Sequence, residues 1–183
     1  MAVIPIESLA LPIVLTGVAL FFASFVSWMV LQLHKKDYQK LPNENDFIDV
    51  ARSMNVPLGN YMFPYCDKPE EMKSEAFQTK YKTGPRGSVT FFPMTNMGKN
   101  LFCMVIYFIA MSFGIGYLTT LALPPGAEFL AVFRFVATAA VMIYLAAMIP
   151  QSVWFKNRIT GHVIESIAYA AISGAIFAAM WPK

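Results

Sequence analysis

The sequence predicts an all-α polytopic membrane protein with four transmembrane helices and an ordered cytoplasmic loop between helices one and two. Three observations carry this prediction. Hydrophobic residues make up 57% of the chain and charged residues only 14%, whereas an ordinary soluble domain is roughly 25% charged. Mean hydropathy is +0.52. Four nearly charge-free runs, residues 9–33, 101–123, 129–155 and 160–181, each reach the roughly 20 residues that a spanning helix needs. Backbone groups in lipid must be satisfied within the segment, so helices are expected, and the alternating ten-residue pattern of a barrel is absent.

The first run lacks a basic n-region and a small-residue cleavage site, and it is longer than a signal-peptide core, so it reads as a retained helix. With the N-terminal tail it forms a first segment, residues 1–34. Residues 35–98 form the loop segment, with two short helices. Asn43, Glu44, Asn45 and Asp46 precede Phe47, Ile48, Val50, Ala51 and Met54, the pattern of a capped amphipathic helix. Residues 56–64 carry Pro57, Gly59 and Pro64 and read as an extended, aromatic-rich stretch. Asp67 with Glu70 resembles a capping box, Pro69 suits a first turn, and Gly84-Pro85 ends a second helix near Lys82. Residues 88–92 read as a short strand. Residues 99–183 hold helices two to four, with Pro124-Pro125-Gly126 as a turn and Pro150 expected to kink the third.

Lys and Arg set the orientation. Lys35, Lys36, Lys40, Arg52, Lys68, Lys73, Lys80, Lys82, Arg86 and Lys99 lie between the first two runs, and Lys156 and Arg158 lie between the last two. The opposite side carries Lys183, Glu7 and Glu128. The positive-inside tendency makes both basic connections cytoplasmic and both termini external. Trp154 and Trp181 then fall near opposite interfaces, as belt residues. With its basic residues divided between loops, the chain presents no nucleic-acid surface; membrane lipids and other membrane subunits are the expected partners.

Leu41-Pro42-x-Glu44, Val56-Pro57-x-Gly59-x-Tyr61-Met62-x-Pro64-x-Cys66 and Ala131-Val132-Phe133-Arg134, together with the 150–154 stretch and Trp181-Pro182, make the chain resemble a group of small bacterial integral membrane proteins of similar length. The resemblance covers most of the chain. It implies the four-span plan and carries over no activity or site residue; the expected location is the bacterial inner membrane.

Polar residues inside the runs are the candidate functional positions. Arg134 lies about two turns into the third span, and an arginine at a span centre costs on the order of 2.5–3.5 kcal/mol unless it snorkels or finds a partner. Glu7 and Glu128 belong to the same outer side and are candidate contacts; the plainer reading is an arginine that snorkels or staples helices. His162 and Glu165 stand at i and i+3 on the fourth span, on one helix face. His34 ends the first span on the same side, so His34, His162 and Glu165 are weak candidates for a metal site, weighed against interfacial anchoring beside Lys156 and Arg158. Soft Cu(I) binding by the methionines finds no M-x-M cluster to support it. Ala170, Gly174 and Ala178 recur every fourth residue, a thin face for close helix packing, and Ser112, Gly114 and Gly116 give the second span another.

Cys66 and Cys103 fall in different environments and belong to no C-x-x-C pair. No G-x-S-x-G elbow, Walker loop or H-E-x-x-H is present. The expectation is therefore a non-catalytic accessory or scaffold subunit of a larger inner-membrane complex, requiring no cofactor. A small transporter or channel using Arg134 and His162/Glu165 is the alternative, and a metal-dependent membrane enzyme using His34, His162 and Cys66 is a third reading.

Overall fold

The structure, a computed structural model, describes residues 4–183. It is mostly helical and divides into two compact units, residues 4–39 with 97–183, and residues 40–96. In the first unit, α1 (Ala10–Phe25) grows out of a 3-10 turn, Ile6–Leu9, and runs on into a π-helical turn, Val26–Val30. α4 spans Met97–Ala122, α5 spans Phe129–Leu145, α6 spans Met148–Phe155, and α7 spans Thr160–Ala179. Four helical stretches are long and apolar enough to cross a membrane: Ile6–Val30, Met97–Ala122, Phe129–Phe155 and Thr160–Ala179. Their outer surfaces remain apolar, with Leu11, Phe22, Phe113, Leu121, Leu130, Met142 and Ile167 all exposed. A helix surface of that composition suits lipid as its solvent.

Two hydrogen bonds fix which helix ends meet. The Gly126 N–H donates to the Pro182 carbonyl at 2.8 Å, and Trp181 Nε1 donates to the Pro124 carbonyl at 3.0 Å. The turn between α4 and α5 therefore lies beside the end of α7. At the opposite end, His34 after α1 meets Glu165 in the first turns of α7. The four spans thus alternate in direction. The sequence reads Trp181 as a belt residue, and in the structure its side chain is buried. It is 8% exposed, in the core with Ile4, Leu9 and Phe177, because its indole N–H finds a carbonyl in the turn that the C-terminus covers. Trp154 is 80% exposed.

Packing relies on thin faces, since lipid gives helices little hydrophobic reason to associate. The most extensive contact is between α5 and α7. There Ala170 and Ala178 are buried, and a Cβ on Gly174 would meet Phe133 Cδ2 at 2.8 Å and the Phe133 carbonyl oxygen at 3.1 Å. α1 meets α4 even more closely, with Gly17 against the backbone of Ile109. The third span breaks at Ala146 and Ala147, leaving Pro150 in the first turn of α6, where the missing N–H costs little.

The second unit departs from an all-α plan. β1 (Gly59–Phe63) pairs antiparallel with β2 (Gly87–Phe91), with Tyr61 opposite Val89. The sequence reads there as one extended stretch and one short strand, and pairing across 23 intervening residues, 64–86, has no local signature. α2 (Glu44–Ser53) forms where the amphipathic pattern places it, but Asn43 adopts φ 54° and makes no side-chain cap. The Asp67/Glu70 box gives way to a short 3-10 turn, Pro69–Lys73. Ser74 is the working cap: its hydroxyl accepts from the Phe77 N–H at 3.2 Å and starts α3, Glu75–Thr83. Phe47, Val50 and Ala51 of α2 and Met54 just after it line an apolar groove with Val56, Tyr61, Val89 and Phe91.

Candidate functional site

The chain reaches His34 through an irregular end to the first span. The wider π turn of Val26–Val30 and the left-handed backbone at Gln32 (φ 49°) redirect the chain after Trp28, a form of helix irregularity often found at functional positions. His34 folds back onto the bundle, and its ring stacks on Trp28 with centroids 4.1 Å apart and planes inclined by 15°. The other face of the site is Gly161, in the first turn of α7. A Cβ there would lie 2.8 Å from His34 Cε1 and 2.9 Å from Nδ1, so the imidazole occupies space that only a glycine leaves open.

Glu165, one turn further along α7, is 7% exposed and His34 is 3% exposed. Such burial of polar groups is costly without partners. Asp37 Oδ2 lies 2.6 Å from His34 Nδ1, which places the Nδ1 proton on that bond and leaves Nε2 facing inward. Glu165 Oε2 is 3.1 Å from Nε2, yet the pair misses hydrogen-bond alignment, and both Nε2 and Glu165 Oε1 lack a hydrogen-bond partner. His162 closes the group, its ring centroid 4.6 Å from that of His34 and its Nδ1 3.9 Å from Glu165 Oε2. His34, His162 and Glu165, weak candidates in the sequence, thus converge from two helices. Asp37 and Gly161 complete the arrangement; the i, i+3 spacing of Asp37 from His34 is the one signal in the sequence that points to the former.

Arg134 stands apart from this cluster. It lies on the exposed face of α5, in line with Leu130, Thr138 and Met142. Its carbonyl accepts from the Thr138 hydroxyl at 2.7 Å, while its guanidinium forms no ion pair among the described residues. Glu7 and Glu128 are exposed and do not reach it. Ala170, Gly174 and Ala178 are spent on α5 within the same chain. The neighbouring stripe of Ala171, Ala175 and Ala179 remains exposed.

The cysteines are free. Cys66 lies in the second unit, and desolvation, followed by the charges of Glu71 and Asp67, pushes its thiol above the ordinary value, which works against a reactive thiolate. Met29, Met104 and Met142 are exposed on the helix surfaces, as apolar filler would be. The chain matches no family model, no curated protein and no solved structure.

Proposed function

We propose that this chain is a multi-pass inner-membrane protein that acts as a non-catalytic accessory subunit, docking through the exposed face of α5 onto a membrane protein that presents a carboxylate. Both termini lie outside and the basic connections are cytoplasmic, as the distribution of Lys and Arg favours. The observation that carries the proposal is the outward-facing, unpaired guanidinium of Arg134 within an apolar helix. A charge at membrane depth is stabilised by an anionic partner or by snorkelling, and no carboxylate among the described residues pairs with Arg134. The exposed Ala171, Ala175 and Ala179 stripe supports the reading, because small residues let a neighbouring helix approach closely.

A single polar route using Arg134 with His162 and Glu165 is less favoured. Arg134 faces away from the bundle interior, whereas Glu165 is buried inside it.

Purification from native membranes in mild detergent tests the proposal. The wild-type chain is expected to co-purify with a membrane protein in fixed ratio, Arg134→Leu to lose that partner at least tenfold while eluting as a folded species, and Arg134→Lys to retain part of it. Recovery of the wild-type chain as a lone, monodisperse monomer would overturn it.

A further inference from the structure

We propose that His34, His162 and Glu165 form a binding site for one divalent transition-metal ion, zinc before others, at the end of the bundle where α7 begins. The three side chains each offer a ligand atom, and these atoms lie within 4.8 Å of one another. In a tetrahedral site with metal bonds of roughly 2.0–2.1 Å, ligand atoms stand about 3.4 Å apart. The observed separations of 3.1 Å between His34 Nε2 and Glu165 Oε2, and 3.9 Å between His162 Nδ1 and Glu165 Oε2, bracket that spacing. Small side-chain rotations close the triangle around an ion.

The competing account is a polar staple in which His34 donates to Glu165. Geometry disfavours it. At 3.1 Å Nε2 and Glu165 Oε2 are near enough for a hydrogen bond, but the direction is wrong, and Nε2 and the other carboxylate oxygen, Oε1, remain buried without hydrogen-bond partners. Burying such atoms unsatisfied costs about 1–3 kcal/mol each. A cation bound by Nε2 gives that nitrogen a partner without needing N–H alignment, and Oε1 gains one where the carboxylate binds through both oxygens.

The surroundings have the form of a metal site beyond its ligands. Asp37 accepts from His34 Nδ1, the carboxylate–histidine arrangement that fixes the tautomer and presents Nε2 to a metal. Trp28 on one side and Gly161 on the other hold the ring plane, so His34 is oriented in advance. The carboxylates of Asp37 and Glu165 offset the charge of a divalent ion, while Lys35 and Lys36 are exposed to solvent screening. Two imidazoles with one carboxylate select zinc and its transition-metal neighbours over magnesium or calcium, which prefer all-oxygen shells. His162 is only partly buried, its side chain 25% exposed, which leaves an approach for the ion and room for a fourth ligand such as water.

The test uses the full-length chain in detergent or nanodiscs, with metal removed and then replaced by zinc or cobalt(II). One zinc per chain is expected by elemental analysis, and cobalt is expected to give the intense visible absorption of a tetrahedral site. His34→Ala and Glu165→Gln should each weaken zinc binding at least a hundredfold. Asp37→Asn, which replaces none of the three ligands but alters the hydrogen bond that orients His34, should weaken it about 10–100-fold. Gly161→Ala should also weaken it, by displacing the His34 ring with every ligand intact. Should His34→Ala fail to fold, His162→Ala, at the more exposed position, supplies the same reading. Absence of stoichiometric zinc after loading, or zinc affinity unchanged in His162→Ala and Gly161→Ala, would overturn the site. A loss of thermal stability in His34→Ala with no zinc bound by the wild type would establish the polar staple instead.

Discussion

Gly17→Leu is expected to drive α1 and α4 apart and to give the largest stability loss of any single replacement in the helical unit. Even the first atom of a new side chain at this position has no room. A Cβ would stand 2.6 Å from Ile109 Cγ1 and 2.9 Å from both the Cα and the N of Ile109. The side-chain atom can rotate away, but the backbone of α4 cannot. Overpacking of a well-filled interior typically costs about 1–3 kcal/mol, and an obstruction made of helix backbone belongs at or above the top of that range. For a chain of this size the shift is about 6–12 °C in Tm. Tryptophan fluorescence during thermal unfolding in detergent reads it, because Trp181 reports the core at the far end of the bundle. Gly17→Ala should produce a smaller loss of the same sign. Gly114→Leu is the control: no atom lies within 4 Å of a Cβ there, so stability should change by less than ~0.5 kcal/mol. Equal effects at positions 17 and 114 would contradict the close approach of the two helices.

Gly174→Leu is expected to have the next largest effect, about 2–3 kcal/mol, by the same overpacking at the contact of α5 with α7. Its obstruction is mixed. The Phe133 ring, at 2.8 Å, can move, whereas the Phe133 carbonyl oxygen, at 3.1 Å, belongs to the helix. This mixture predicts coupling. In Phe133→Ala the ring is gone, and the added side chain at position 174 should cost less than it does in the wild type, with an interaction energy of about 1 kcal/mol in a double-mutant cycle. Strict additivity of the two replacements would mean that the ring and Gly174 do not share the space described here.

These two glycines also show how far the sequence speaks. Gly174 was visible, because Ala170, Gly174 and Ala178 repeat at a helical interval and mark a thin face. What the repeat could not specify was the neighbour, since a small residue invites any helix, and the structure assigns that face to α5 of the same chain. Gly17 has no small residue four positions away on either side and left no such mark. The four spans were legible because lipid demands length and apolarity, which composition records directly. The two-stranded sheet of the second unit was half legible: strand character is local, but pairing is not.

The polar features divide in the same way. His162 and Glu165 were visible as a pair at i and i+3, and His34 as a residue ending the first span on the same side. Their convergence depends on the π turn at Val26–Val30 and the left-handed Gln32, backbone choices that Val, Ser, Trp and Met do not announce. Gly161 reads in the sequence as an ordinary residue near a helix start, and only the ring packed on it explains its size. Arg134 was conspicuous as a charge within an apolar run. Its direction was not, because α5 is apolar on every side and periodicity cannot tell its inner face from its outer one.

Photo-crosslinking in native membranes from Thr138, one turn beyond Arg134 on the same exposed face of α5, tests the central claim most directly because it leaves the arginine in place. A benzophenone amino acid at position 138 is expected to give a discrete protein adduct that disappears in the Arg134→Leu background. The same probe at Phe22, on the exposed surface of α1, is expected to give lipid adducts alone. If position 138 also yields only lipid adducts, Arg134 meets headgroups rather than a protein, and the accessory-subunit reading falls.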